Sequence, residues 1–128
     1  MLVVALIAAL AVAATPGTGR AALEAVAMKA AALMRRERLG AVLTGRDREV
    51  LLDGPRRVLV GEGGDEVAIP PDVALDLLGA DETASRRALV VRFHPDGASS
   101  GAALKLSREG AGYEIRVDWY TGAVAVLP

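Results

Sequence analysis

The chain contains no cysteine and a single histidine, His94, among its 128 residues. The missing thiols exclude a disulfide scaffold and every thiolate metal site, and one histidine cannot build a multi-histidine metal site. Aromatic residues make up only 3% of the chain, although hydrophobic residues make up 52%. The core is therefore built mostly from Val, Leu, Ile and Ala. A chain of this length holds one small domain plus an extension.

Excess charge of either sign is also missing, since the formal net charge is −1. This balance argues against a dedicated nucleic-acid binder. Residues 16–50 carry seven basic and four acidic side chains, residues 51–90 carry four and eight, and residues 91–128 carry four of each. We interpret the basic cluster of Arg35, Arg36 and Arg38 as a solvated helix face. Contact of this cluster with acidic partners or lipid head groups is the alternative.

The first fourteen residues, Met1 to Ala14, lack any polar or charged side chain. A membrane-spanning helix needs about 20 apolar residues, so the run is short by itself. Three interpretations are open: a secretory signal cleaved after Ala11-Val12-Ala13, a buried helix, or a membrane helix whose beginning is absent from this sequence. A signal normally has a basic start, and a small domain can hardly enclose a helix that is apolar all round. The membrane helix is the favoured interpretation, for a reason that comes from the other end of the chain.

An amphipathic helix is predicted over residues 20–43. Apolar residues recur there at spacings of three and four, so they share one stripe that we expect to pack on the domain's own sheet. The stripe consists of Leu23, Val26, Ala27, Ala30, Leu33 and Met34. Pro16 predicts a kink where this helix continues the apolar segment, and Thr44-Gly45 predicts its end.

The hydrophobic period changes to about 2 after Gly45, which predicts antiparallel strands with one wet face. Asp53-Gly54-Pro55 is a turn signal between two short strands, so residues 49–60 form a predicted hairpin. Residues 72–78 fit either a helical turn or a strand. Further strands are predicted at 67–69, 88–93, 103–107, 113–119 and 124–126. The fold class is thus α+β, with a helix over residues 1–43 and a β-rich domain over residues 44–128.

Individual positions on these strands carry further expectations. Leu89, Val91 and Phe93 are predicted to share one face of their strand. Trp119, the largest side chain, is expected to anchor the sheet against the helix, on the face of Tyr113, Ile115 and Val117. Asp118 and Arg116 are expected on the opposite face, where an exposed ion pair would contribute little.

The sequence does not match the patterns of a catalytic triad, a phosphate loop or a calcium loop. Ser99, His94 and Asp96 occupy six positions of one turn, which cannot easily converge as a catalytic triad does. Gly61-Glu62-Gly63-Gly64 is not followed by Lys-Ser/Thr, so it is not a phosphate loop. The acidic residues near Asp65 match no calcium loop. We therefore expect no catalytic, cofactor-binding or metal site.

The stretch from Arg92 to Val126 resembles the C-terminal signature of the GspH/FimT pseudopilin family. A strand ends in F-x-P-D-G, S-S-G follows, and V-D-W-x-T-G precedes a last strand. The matching positions are Phe93, Pro95, Asp96, Gly97, Ser99, Ser100, Gly101, Val117, Asp118, Trp119, Thr121 and Gly122. The apolar start from Met1 to Ala14 resembles the membrane half of the pilin-type helix.

This resemblance implies a pilin-like fold, a long N-terminal helix packed on a small antiparallel sheet domain. It implies an inner-membrane anchor at residues 1–14, a periplasmic domain at 44–128, and assembly with other pseudopilins into the pseudopilus of a type II secretion system. The apolar residues expected in the membrane and in assembly are Leu2, Val3, Val4, Leu6, Ile7, Leu10 and Val12. Other inner-membrane components of that system and membrane lipid are the further partners, with no small-molecule substrate and no nucleic acid.

Alternatives remain at this point. The chain resembles FimT-like minor pilins of type IV pili or DNA-uptake systems as well, and an exported domain with a cleaved signal is a third hypothesis. The signature loops are either a surface that other pseudopilins recognise or turn chemistry that holds a small sheet together. Family members begin with a basic leader, a Gly–Phe peptidase site and a glutamate, none of which is present here. We therefore expect the true start to lie upstream, with Met1 as an internal methionine. Restoring about five to seven residues would bring the apolar helix near the length that a bilayer requires.

Overall fold

A computed structural model describes residues 18–78 and 87–128. Within them one helix, α1 (Thr18–Thr44), precedes eight strands. The strands are β1 (Arg48–Asp53), β2 (Val58–Gly61), β3 (Glu66–Ala68), β4 (Ala74–Leu77), β5 (Arg87–Phe93), β6 (Ala102–Arg108), β7 (Ala111–Val117) and β8 (Val124–Leu127). The expected membrane-embedded segment, with its seven apolar residues from Leu2 to Val12, and the kink at Pro16 lie outside the described residues. Across the two described ranges, no helix combines the length and hydrophobicity that crossing a bilayer requires.

Helix α1 forms where the sequence is rich in alanine, the residue with the highest helix propensity. All six residues of the predicted stripe are buried, which confirms that this face packs on the domain. The helix ends as predicted at Thr44, whose hydroxyl donates to the Gly40 carbonyl at 2.7 Å. Gly45 follows with φ 69°, and its N–H donates to the Ala41 carbonyl at 3.0 Å.

The strands form two antiparallel four-stranded sheets, in the orders β3-β2-β1-β5 and β4-β6-β7-β8. The predicted hairpin is confirmed as β1 and β2, with Asp53 opposite Val58. The ambiguous segment 72–78 contains strand β4, which pairs with β6 along its whole length. Helix α1 contacts strands of both sheets, so the single sheet expected from the sequence is in fact two sheets that share one helix.

The core between α1 and the sheets is aliphatic apart from Phe93, which is completely buried. Leu59, Leu104, Leu106 and Ile115 are also completely buried and come from both sheets. Burial of one such side chain contributes about 1.5–3 kcal/mol, so a core with few aromatic rings still stabilises the domain. The predicted α+β class with an aliphatic core is confirmed.

Strand β5 departs from the predicted alternation. Val91 and Phe93 are buried as expected, but Leu89 is 42% exposed and Val90 is buried in its place. The pairing with β1 shifts between Val50, which faces Val91, and Leu51, which faces Leu89. This irregularity gives Val90 no partner on β1 and reverses the phase of the strand, as a β-bulge does. The predicted face was therefore wrong at Leu89.

Candidate interaction surface at the signature turns

The first signature turn, residues 94–101, leaves the end of β5. Gly97 has φ 92°, and its N–H donates to the His94 carbonyl at 2.9 Å. The Asp96 carboxylate accepts the N–H of Ala98 at 3.0 Å. The turn chemistry predicted for Pro95-Asp96-Gly97 is confirmed, because the carboxylate satisfies a turn amide and glycine takes the left-handed conformation.

Ser99 joins this turn to the second one and is itself buried. Its hydroxyl donates to the Asp118 carbonyl at 2.9 Å and accepts the N–H of Gly101 at 3.0 Å. Its own N–H donates to the Trp119 carbonyl at 2.8 Å. Ser100 connects the turn to strand β5, because its hydroxyl accepts the N–H of Arg92 at 2.9 Å. The two serines therefore satisfy backbone groups of both signature turns.

The second signature turn, residues 118–122, follows β7. One Asp118 carboxylate oxygen accepts the N–H groups of Tyr120 at 2.8 Å and Thr121 at 2.9 Å. The N–H groups of Thr121 and Tyr120 hold the pKa of the Asp118 carboxyl below its ordinary value, because they stabilise the ionised form. The Gly122 N–H donates to the Asp118 carbonyl at 2.8 Å, which closes the turn.

The two turns touch at Gly122, which has the predicted left-handed conformation with φ 72°. A Cβ at this position would lie 1.9 Å from the carbonyl oxygen of Gly97 and 2.7 Å from Nε of Arg38. No side chain fits such a gap, so glycine is required by both conformation and space. The F-x-P-D-G and V-D-W-x-T-G segments, which are distant in sequence, are thus one packed unit.

Arg38 on α1 binds both turns at once. Its Nε donates to the Gly97 carbonyl at 3.0 Å, and its Nη2 donates to the Thr121 carbonyl at 2.9 Å. Arg38 was predicted only as a member of the basic cluster, and its contacts with the two turns were not predicted. A planar guanidinium with several donors suits two carbonyls on different loops, but neither partner is identifiable from sequence spacing.

The predicted solvated helix face is confirmed for Arg35 and Arg36, whose side chains are exposed, whereas Arg38 is half-buried. Arg38 belongs to a run of four charged residues, Arg35–Arg38, which we call the charged turn. Arg35 donates to the Val124 carbonyl at 2.9 Å, and Arg36 pairs with Asp65 at 3.0 Å. Each arginine of the cluster therefore binds the domain of its own chain.

Glu37 in the charged turn is a buried carboxylate, only 2% exposed. Arg48 lies 3.3 Å from it, and the N–H of Gly63 donates to both of its oxygens at 3.2 and 3.3 Å. A Cβ on Gly61 would lie 2.7 Å from the carboxylate. The glycine-rich loop, residues 61–64, therefore packs against the buried carboxylate of Glu37. This contact explains why the loop contains glycines although its sequence is not that of a phosphate-binding loop.

Trp119 does not anchor the sheet against the helix, because its side chain is 67% exposed. Strand β7 ends at Val117, and the Asp118 carboxylate then captures the next amides, so the alternation does not extend to Trp119. The expected pair between Arg116 and Asp118 is wrong too, since Arg116 pairs with Glu114 on the same strand. Tyr120 is 73% exposed beside Trp119, so the turn presents two adjacent aromatic side chains to solvent.

The signature residues are therefore brought together in one packed unit. Phe93 lies in the core beneath them, and the side chains of Ser99, Asp96 and Asp118 are engaged by the backbone. Nδ1 of His94 lies 3.3 Å from a carboxylate oxygen of Asp47.

Comparison with known proteins points to one family, although no protein-family model matches the chain. The chain is 33% identical to the type II secretion system protein H of Xanthomonas campestris over 133 residues, which cover all of this chain and 79% of that protein.

Two solved structures share the fold. The minor pseudopilin EpsH from the type 2 secretion system of Vibrio cholerae has a TM-score of 0.64 at 13% identity, over 82% of this chain and 95% of EpsH. The type IV minor pilin FimU of Pseudomonas aeruginosa has a TM-score of 0.59 at 16% identity, over 88% and 93%.

The predicted family and the helix-on-sheet fold class are both confirmed by these similarities. The relation to a protein H extends along the whole chain, so it includes the signature turns as well as the helix. The chain belongs to the type II secretion system protein H family, whose fold is that of minor pseudopilins and minor pilins.

Proposed function

We propose that this chain is a minor pseudopilin, a structural subunit of a type II secretion pseudopilus that acts by assembly and not by catalysis. The relative in Xanthomonas campestris is protein H of such a system. The shared fold of EpsH, a minor pseudopilin, supports the same role. In this proposal residues 1–14 anchor the chain in the inner membrane, residues 44–128 lie in the periplasm, and other pseudopilins are the partners.

A second apolar face on α1 carries the proposal. Leu39, Val42 and Leu43 are 56%, 45% and 74% exposed, although the inner stripe of the same helix is buried. Their spacing of three and four residues places them on one face. Met28, which is 46% exposed, continues this face toward the start of the helix. A helix that uses one face for its own domain and keeps a second apolar face free fits packing against the helices of neighbouring subunits.

The membrane part of the proposal is tested by fractionation of cells that express the chain. We expect it in the inner membrane, where it resists extraction with sodium carbonate because an apolar helix is stabilised by the bilayer. A freely extractable periplasmic protein would contradict the anchor.

The assembly part is tested by secretion in a strain that lacks the gene. The wild-type gene should restore secretion, whereas the double variant Leu39→Glu, Leu43→Glu should fail because two charges replace the second apolar face. Leu89→Glu is the matched control, since Leu89 is also exposed but lies on β5. Equal secretion by both variants would contradict the proposed use of the helix face.

A minor pilin of a type IV pilus or a DNA-uptake system is the alternative, and the fold of FimU favours it as a second candidate. DNA binding would need free basic side chains for phosphate contacts. In the structure Arg35, Arg36 and Arg38 bind groups of their own domain, which weakens this alternative. A salt-dependent gel shift with the purified protein would favour it, and the absence of a shift at low salt would count against it.

A further inference from the structure

An exposed aromatic pair, Trp119 and Tyr120, projects from the second signature turn. Their side chains are 67% and 73% exposed, and their rings meet edge to face with centroids 5.5 Å apart. The chain has four aromatic residues in all, so half of them face solvent in this one turn. Trp and Tyr are enriched among the residues that dominate binding energy at protein interfaces.

The backbone that carries the pair is held in place on both sides. The Asp118 carboxylate binds the Tyr120 N–H, the Trp119 carbonyl accepts the Ser99 N–H, and Arg38 binds the Thr121 carbonyl. A surface that is already ordered before binding loses less conformational entropy when a partner arrives. The pair is therefore a preorganised anchor rather than a mobile loop tip.

The position of the pair along α1 argues for a protein partner over a bilayer. Arg38, which holds the turn, lies 20 residues beyond Thr18, and this corresponds to a rise of about 30 Å along the helix. With the membrane anchor at the N-terminal end, the pair lies at the far end of the domain. Aromatic residues that act at the membrane surface lie next to the anchor instead.

The charges near the pair argue for an apolar partner surface. Arg38 is engaged by two carbonyls, the Asp118 carboxylate by two amides, and Arg116 by Glu114. Single-stranded nucleic acid stacks on aromatic rings where a cationic groove also follows its phosphates. Here the neighbouring cations are already satisfied, so apolar contact is the chemistry that this surface offers.

We propose that Trp119 and Tyr120 dock against an apolar surface of a neighbouring pilin-like subunit at the membrane-distal end of the domain. Arg38 and Asp118 are positioning residues that hold the pair without contacting the partner. The inference rests on the proposed function, because it assigns one contact surface within the same filament.

Cross-linking in secreting cells tests the contact directly. Full-length protein carries photoreactive benzoylphenylalanine in place of Trp119 or, as the control, in place of Leu89, which is exposed on β5. We expect illumination to link position 119 to an apolar segment of a pilin-like subunit, identified by mass spectrometry, and position 89 to give no such product. Products with lipid, nucleic acid or a secreted protein alone, or no product at 119, overturn the proposal.

A secretion assay separates this inference from the proposed function. The double variant Trp119→Ala, Tyr120→Ala should lower secretion by about tenfold, as expected for loss of two interface anchors, with an unchanged melting temperature because both side chains are exposed. Leu89→Ala should secrete normally. If gene deletion abolishes secretion but the double variant secretes fully, the docking inference fails and the proposed function stands. If deletion leaves secretion intact, the proposed function fails first.

Discussion

The two sides of the charged turn of α1 hold their side chains in different environments. Glu37 is buried in a pocket with Arg48 and the glycine-rich loop, and only 3% of its side chain is exposed. Arg38, the next residue, is half-buried and donates to carbonyls of the two signature turns. One helical turn thus serves two purposes. The Glu37 side stabilises the fold, whereas the Arg38 side positions an exposed surface.

Gly122→Ala should have the largest effect, because it separates the two signature turns that Arg38 holds together. The new Cβ would lie 1.9 Å from the Gly97 oxygen, and the φ of 72° is unfavourable for alanine. We expect a loss of at least about 3 kcal/mol in the free energy of unfolding, measured by denaturant titration. Gly45→Ala is the control, because Gly45 has φ 69° with open space around it, and should cost only about 1 kcal/mol. Equal losses of unfolding free energy in the two variants would mean that the close approach of Gly122 to Gly97 does not contribute to stability.

Changes in the buried pair should rank next and should be asymmetric. Arg48→Met leaves the Glu37 carboxylate buried without its cation, so we expect a loss of about 3 kcal/mol. Glu37→Gln should cost less, about 1–2 kcal/mol, because the Arg48 side chain is 24% exposed and can reach water. Thermal unfolding of both variants checks the order. A larger loss of unfolding free energy for Glu37→Gln than for Arg48→Met would contradict the expectation that an unpaired buried carboxylate is the more costly change.

On the other side of the charged turn, Arg38→Met should cost about 1–2 kcal/mol because two charge-assisted hydrogen bonds to carbonyls are lost. Hydrogen exchange should accelerate at the amides of Tyr120 and Thr121, which lie in the released turn. Arg36→Met removes an exposed ion pair to Asp65 and should cost less than about 1 kcal/mol without this local change. The same exchange pattern in both variants would remove the proposed difference between a positioning arginine and a surface arginine.

The smallest effect concerns the charge of Asp118. Because its pKa is lowered in the folded protein, its two amide hydrogen bonds contribute stability that is complete above the ordinary pKa of about 3.9. That contribution is lost as the pH falls through the lower folded-state pKa. The amide resonances of Tyr120 and Thr121 should therefore titrate with a midpoint below that of an ordinary aspartate. Asp118→Asn keeps an acceptor oxygen and should abolish the titration, whereas an ordinary midpoint in the wild type would contradict the two strong hydrogen bonds.

The elements that follow from local chemistry were predictable. The six stripe residues of α1, the hairpin of β1 and β2, and the turns at Gly97 and Gly122 appear where the sequence places them. Leu89 was misplaced because a bulge reverses the strand phase, and a bulge leaves no clear mark in an alternating pattern. Trp119 was misplaced because size and alternation favour burial, whereas the Asp118 carboxylate ends the strand.

The sequence by itself determined the helix, most of the strands, the two glycine turns and the family, because each depends on periodicity, on glycine and proline, or on residues close together in the chain. Only the tertiary structure decided what the charged turn does. Arg38 reaches partners 59 and 83 residues away in sequence, and Glu37 meets Gly63 across 26 residues. Such contacts depend on how two sheets pack around one helix, and carbonyl groups and glycine amides carry no residue-specific signal that spacing could reveal.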